Sequence, residues 1–136
     1  MKKFIMSLFI DHVVITVIDI NKSIHFYSNI LGMEMQEFLS STDNVKRKSL
    51  KFGNQKINLH ESSNPFKPHA NNPLPGTMDI CFLSEIQIDD WIKTFNEFNI
   101  EIEDGPVEKT GANGPIKSIY VRDPDKNLIE ISNQIL

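Results

Sequence analysis

The two halves of this chain repeat one another, and that repeat constrains the fold more than any other feature. "IHFYSNILGMEM" in the first half answers "WIKTFNEFNIEI" in the second. In the first half, Phe9 to Val17 is rich in β-branched residues and reads as a strand, with His12, Val14 and Thr16 on one face and Asp11, Val13 and Ile15 on the other. Asp19 and Asn21 offer capping oxygens to a helix carrying Ile20, Ile24, Tyr27, Ile30 and Leu31 at helical spacing, and Gly32 supplies its stop. Three strands follow: Met33 to Phe38, Lys46 to Phe52 and, after the Gly53-Asn54 turn, Lys56 to Glu61. The second half gives a strand from Thr77 to Leu83 and a helix from Ile88 to Phe98 with Trp91, Ile92, Phe95 and Phe98 on one side. Short strands are then expected at Ile100 to Glu103, Lys117 to Val121 and, after Asp123-Pro124-Asp125, Asn127 to Ile131. The order β-α-β-β-β therefore occurs twice. A repeat half a domain long predicts paired modules, not a solenoid. The expectation is one α+β domain over 8–134, with modules at about 8–61 and 77–134. The linker, 62–76, holds four of the seven prolines.

A length of 136 residues suffices for one hydrophobic core. The net charge of −4 gives no global case for nucleic acid or an anionic membrane surface. The basic run Lys46-Arg47-Lys48 is short and reads as the solvated edge of a strand or turn. Cys81 is the single cysteine, which excludes an intrachain disulfide. Its apolar setting predicts a buried spectator thiol, which suits a reducing, cytoplasmic compartment. Met1-Lys2-Lys3 followed by an apolar run imitates a signal peptide. The run is short and Asp11-His12 stands where a small-residue cleavage site belongs, so neither export nor membrane insertion is expected.

Two motifs carry a family resemblance. Ile10-Asp11-His12-Val13 through Phe26-Tyr27-x-x-Ile30-Leu31-Gly32 resembles the opening pattern of the vicinal oxygen chelate superfamily, which includes glyoxalase I, extradiol dioxygenases, fosfomycin- and bleomycin-resistance proteins and methylmalonyl-CoA epimerase. Arg122-Asp123-Pro124-Asp125-x-Asn127-Leu128-Ile129-Glu130 resembles its closing pattern, with Lys126 where Gly is usual. The segments "INLHE", "MDIC" and "GPIKSIYVRDPD" are similar to the subgroup named for glyoxalase-domain-containing protein five. The resemblance implies paired βαβββ modules curled into an incomplete mixed-sheet barrel around a metal ion, and a homodimer.

By the same resemblance, ligands come from the first and last strands of each module. His12 occupies the first-strand position, Glu130 the last-strand position, and Asp79 the place where the family usually has His. The fourth ligand falls on Asn58 or His60, which share a strand face. His60 is the expected ligand, because an amide oxygen is the poorer partner for a transition metal. His12, His60, Asp79 and Glu130 would suit Zn, Ni, Co, Mn or Fe, with Glu130 or Asp79 as catalytic base. A histidine on an apolar strand also serves as a hydrogen-bonded core residue, and Asp79 has two further readings, a buried acid bonded to His12 or the relic of a lost site. His25 and His69 are expected at the surface without a role.

Residues 106–115 read as a flexible loop, either an ordinary connection or a lid presenting Lys109, Thr110 and Asn113 to a polar substrate. Tyr120 and Arg122 share a face, with Arg122 pairing either a substrate anion or Asp123 or Asp125. Three functions follow from the resemblance: a metal-dependent lyase or isomerase of the glyoxalase type, a metal-free small-molecule binding or resistance protein, and an Fe(II) ring-cleaving dioxygenase. In the second, Phe52, Phe66, Trp91 and Tyr120 could line a groove, although Trp91 at helical spacing belongs in a core. Dioxygenase chemistry is disfavoured by Asp79 standing at the second histidine's position.

Overall fold

The computed structural model describes residues 7–41 and 43–136. Strand β1 (His12–Val17) leads into helix α1 (Ile20–Ile24), which widens without a break into a π-helical segment (His25–Ile30). The Asp19 carboxylate accepts from the Asn21 and Lys22 amides, so the expected cap is present. Gly32, at φ +84°, ends the helix in a conformation that side chains disfavour. Strands β2 (Glu34–Leu39), β3 (Lys46–Phe52) and β4 (Gln55–Glu61) complete the first module. The second runs β5 (Asp79–Leu83), α2 (Ile88–Glu97), β6 (Asp104–Gly111), β7 (Gly114–Arg122) and β8 (Leu128–Gln134). No strand or helix occurs in residues 62–78.

Each module is one four-stranded mixed sheet, ordered β1-β4-β3-β2 and β5-β8-β7-β6. In both, the first and last strands are parallel neighbours and the remaining pairs are antiparallel. This is the α+β architecture the repeat predicts; strand pairing does not close the two sheets into a barrel. Alternation sends Ile15, Val17, Leu50, Ile57 and Leu59 from the first sheet into the core. Ile119, Val121, Ile129 and Ile131 from the second join the same core, with Phe26 and Tyr27 of the first helix and Trp91 and Phe95 of α2. Phe52 and Phe82 meet edge-to-face across the module boundary at 5.4 Å. Trp91 is a core residue and Phe52 packs against the core, and both also border a small cavity of about 150 Å³ together with Phe82.

One polar joint also ties the halves together. The buried Tyr27 hydroxyl donates to Asp123 Oδ2 at 2.6 Å, and Asn127 Nδ2 donates to the same oxygen at 2.8 Å. Asp123 Oδ1 accepts from the Asp125 and Asn127 amides. The closing motif thus earns its shape from a turn folded around one buried carboxylate, with Lys126 at φ +66°, the conformation for which Gly is usual. No helix among the described residues is long and apolar enough to cross a membrane.

Several expected details are corrected. The first strand begins at His12, so Phe9 and Ile10 lie outside it and are exposed. Ile100 to Glu103 is not a strand: Ile100 and Ile102 pack on the core, which produced the alternation, but the ladder starts at Asp104. Residues 106–115 are not a flexible loop, because β6 and β7 form a hairpin across them. Their Gly and Pro residues sit at its irregularities. Gly111 and Gly114 flank the turn, and Pro106, which has no N–H to donate, lies where the register shifts between Asp104 and Val107. At Gly105, φ +96°, a Cβ would collide with the Ser118 carbonyl oxygen. Cys81 is exposed, not buried, since alternation turns it away from the core. Arg122 pairs with neither Asp123 nor Asp125; it grips Glu103 with both arms, at 2.9 and 3.0 Å.

Candidate functional site

The side of each sheet that faces away from the core is where the sequence expectation put its ligands, and the strand registers define it. In the first sheet His12 pairs with Lys56, Val14 with Asn58, and Thr16 with His60. In the second Asp79 pairs with Leu128, Cys81 with Glu130, and Leu83 with Ser132. Superposing the registers makes His12 the equivalent of Asp79, Asn58 of Glu130, and His60 of Ser132. Two donor positions therefore recur at one diagonal spacing: His12 with Asn58, and Asp79 with Glu130. His60 stands one pleat further along.

Each donor has a distinct setting. His12 is half exposed, and its Nδ1 bonds the Asp11 carboxylate at 2.8 Å. That contact holds Asp11 below its usual pKa and orients the ring, with Nε2 making no hydrogen bond among the described residues. The Asn58 Oδ1 atom is buried and receives no hydrogen bond among the described residues. Such an orphaned acceptor is costly unless something absent from the chain satisfies it. Glu130 Oε2 accepts from the Ser118 hydroxyl at 2.6 Å, and Ser132 stands at 3.4 Å from the same oxygen. Ser118 and Ser132 also share a hydrogen bond, and Cys81 Sγ lies 3.3 Å from Ser132 Oγ. Burial, then the neighbouring Glu130 carboxylate, pushes the Tyr120 phenol up to about 12, so it remains a donor at neutral pH. The Cys81 thiol is likewise held up, first by partial desolvation against the sheet and then by the neighbouring Glu130 carboxylate, which argues against a nucleophile.

His60 is 5% exposed and covered by Phe66, whose ring centroid is 3.9 Å away. Burial, reinforced by the charges of Arg47 and His69, lowers its pKa and keeps the imidazole neutral. Phe66 belongs to the proline-rich segment, whose residues from Pro68 to Leu74 fold back over the first sheet and border a half-open cavity of about 620 Å³. Thr16, His60, His69, Leu74 and Met78 are among its walls. A second cavity, about 460 Å³, lies on the outward face of the second sheet, bounded by Cys81, Lys109, Thr110, Tyr120 and Glu130. Lys109 and Thr110 thus border Glu130 as paired residues of the β6–β7 hairpin, not as a loop lid.

The donor set suits a divalent ion: an oriented imidazole, two carboxylates and an unsatisfied amide oxygen. Yet among the described residues no three His, Cys, Asp or Glu side chains of one chain come together. The donors stand in two pairs on separate sheets. Ser118, Ser132 and Arg47 are absent from the expected site. Ser132 had a signal, since it lies two residues from Glu130 on one strand; Ser118 becomes visible only through cross-strand pairing.

The chain is similar to known proteins over nearly its whole length. The model of the Glyoxalase/Bleomycin resistance protein/Dioxygenase superfamily matches residues 9–131. Virulence protein STM3117 of Salmonella typhimurium (strain LT2) is 48% identical over 126 residues, covering 93% of this chain and 84% of that protein. Its crystal structure gives a TM-score of 0.86 at 46% identity, covering 96% of this chain and 100% of that one. Glyoxalase domain-containing protein RDO1 of Mycosarcoma maydis is 49% identical over 124 residues, covering 91% of this chain and 67% of that protein. A solved structure from the mobile metagenome of V. Pseudocholerae gives a TM-score of 0.88 at 42% identity, covering 98% and 100%.

Proposed function

Because this chain belongs to the Glyoxalase/Bleomycin resistance protein/Dioxygenase superfamily, we propose that it is a metal-assisted lyase or isomerase of the glyoxalase type. Its substrate is a small molecule with two neighbouring oxygens. The working site forms where the first sheet of one copy faces the second sheet of another in a homodimer. The observation that carries this reading is the recurrence of His12/Asn58 and Asp79/Glu130 at equivalent register positions on separate outward faces. Charge supports it: Arg47, Lys51 and Lys56 outnumber Glu34 on the first face, while Asp79, Asp104 and Glu130 outnumber Lys109 and Arg122 on the second.

His12, Asp79 and Glu130 would hold the ion, with Asn58 or His60 as the remaining partner. When bound, a divalent ion there would polarise the two substrate oxygens and acidify the adjoining carbon. Glu130 takes that carbon's proton and returns it to the neighbouring atom. Ser118 and Ser132 fix the carboxylate, Tyr120 donates to developing negative charge, and the 620 Å³ cavity excludes water from the substrate's apolar body. The lone free thiol suits work in the cytoplasm.

The test mixes two variants. His12→Ala and Glu130→Gln each lose divalent-ion binding as pure homodimers. Random mixing puts one intact site in half of the dimers, restoring about a quarter of the wild-type sites. No recovery on mixing, with exchange of subunits demonstrated, sinks the shared site. The apolar strap cavity also favours a second reading, a metal-free small-molecule binder. Protein purified without chelators that carries no metal, and gains no stability from any added divalent ion, selects that reading instead.

A further inference from the structure

The cavity under the proline-rich strap is bordered by four consecutive residues of β1, Val13 to Thr16. Alternation turns Val13 and Ile15 toward the core and Val14 and Thr16 outward. A strand brings consecutive residues to one space along its edge, not through one face. β1 is the outermost strand of its sheet, with β4 as its single neighbour. In that parallel ladder the Asp11 carbonyl accepts from the Lys56 amide at 3.2 Å, and the Val17 carbonyl accepts from the Ser62 amide at 2.9 Å. The odd-numbered residues of β1 therefore turn their peptide groups to β4, while His12, Val14 and Thr16 turn theirs to the free edge. Ile18 continues that second phase, and its amide donates to Asp125 Oδ1 at 3.2 Å.

Val14 and Thr16 have no such partner. Neither the N–H nor the C=O of either residue is hydrogen-bonded among the described residues. Thr16 is only 8% exposed, so its peptide groups have little access to water in exchange. The strap does not supply the missing bonds. From Pro68 to Leu74 it borders the same cavity, but it forms no strand, and Pro68 and Pro73 have no N–H to donate. On the second sheet the matching edge residues Cys81 and Leu83 are exposed, so water can serve them. Of the two matching edges, β1 alone borders the strap cavity.

We propose that this cavity binds a short extended peptide as an added strand on the free edge of β1. Val14 and Thr16 offer two donors and two acceptors with a repeat of roughly 7 Å, the spacing at which an extended chain offers its own. Pro68, Pro73, Leu74 and Met78 supply apolar walls, which suit uncharged, apolar side chains on the ligand. The proposal rests on the reading of this cavity as a ligand's seat and not on the ion, so it is tested without metal.

The probe is acetyl-leucyl-valyl-leucine methylamide, followed by proton–nitrogen spectra and amide hydrogen exchange on the metal-free full chain. Its addition should shift the Val14 and Thr16 amides saturably and slow their exchange severalfold. Val13 and Ile15, whose amides already bond to β4, are internal controls and should change little. An extended ligand turns alternate amides to its neighbour, so two N-methylated probes, one for each phase, should differ in affinity by roughly tenfold. Leu74→Ser should weaken binding of the parent peptide and leave divalent-ion binding unchanged. The proposal is overturned if millimolar peptide leaves the Val14 and Thr16 amides unmoved, or if both methylated probes bind alike. It is also overturned if those amides are protected in the free protein and lose protection on dilution, which makes the edge an interface between copies. Failure of the mixed-variant metal test with the phase dependence intact removes the ion and leaves the peptide site standing.

Discussion

On the first sheet, Val14, Asn58 and Ser49 lie side by side across three strands; on the second, those three places hold Cys81, Glu130 and Tyr120. The core-facing positions between them stay apolar in both sheets. Only the outward rows diverge, one toward arginine, lysine and an amide, the other toward carboxylates with hydroxyl donors. The same backbone ladder thus supports two chemistries, because core packing fixes the register and leaves every second residue free. What differs is the ability to move a proton. Glu130 can accept one, while Asn58, at its counterpart, can only accept a hydrogen bond.

The largest expected effect comes from erasing that difference. Glu130→Gln preserves shape and the Ser118 contact but removes the base, and turnover of the eventual substrate should fall by roughly 10²–10⁴-fold. A far-ultraviolet spectrum and Tm close to wild type would show that the fold is kept. If activity survives in this variant, Glu130 is not the base, and Asp79 on the same face inherits the role.

Much of this was legible in the residues. The half-chain repeat and the two end motifs supplied the fold and the cap at Asp19, and named His12, Asp79 and Glu130 as the donors of the proposed site. The repeat also held the equivalence of Asn58 with Glu130, but it was hidden because β4 reads "INLHE", where an imidazole two residues on is the better ligand chemically. Hydrogen-bonded register supplies that equivalence. The hairpin β6–β7 was unreadable for another reason. Its Gly, Pro and Asn residues have loop propensities, and they fall at a turn and a bulge inside a ladder built by tertiary pairing. Arg47 over Phe66 joins residues from a strand and a distant strap, a contact no local pattern encodes.

The comparison sharpens at the metal if Asn58→Asp is made, giving the first face the second face's carboxylate. Divalent-ion affinity should rise roughly tenfold, followed by competition with a chromophoric chelator. His60→Gln should change it much less if Asn58 is the ligand. The reverse ranking, with His60→Gln losing the ion and Asn58→Asp indifferent, returns the fourth position to His60.

A smaller effect is expected where Glu130 meets its donor. Ser118→Ala removes the 2.6 Å hydrogen bond and leaves the carboxylate less firmly held. Loss of about 1 kcal/mol of stability and a several-fold drop in kcat with little change in KM would fit a positioning role. An unchanged kcat with the same loss of stability would make the hydroxyl structural alone.

The smallest effect distinguishes the faces by pH. His60 is neutral in the fold because burial under Phe66 disfavours its charge, with Arg47 and His69 adding to that. Its folded pKa lies below the unfolded value of about 6.5, so the unfolded chain takes up the proton first as pH falls. Stability therefore declines through that window and levels off once the folded form is also protonated. Ser132 holds the equivalent place on the second sheet and contributes no such dependence. Denaturation midpoints measured from about pH 7 to pH 5 should fall less steeply in His60→Gln than in wild type. Parallel curves would mean that protonating the imidazole costs the fold nothing. The stack of His60, Phe66 and Arg47 would then give way on acidification without holding the strap to the first sheet.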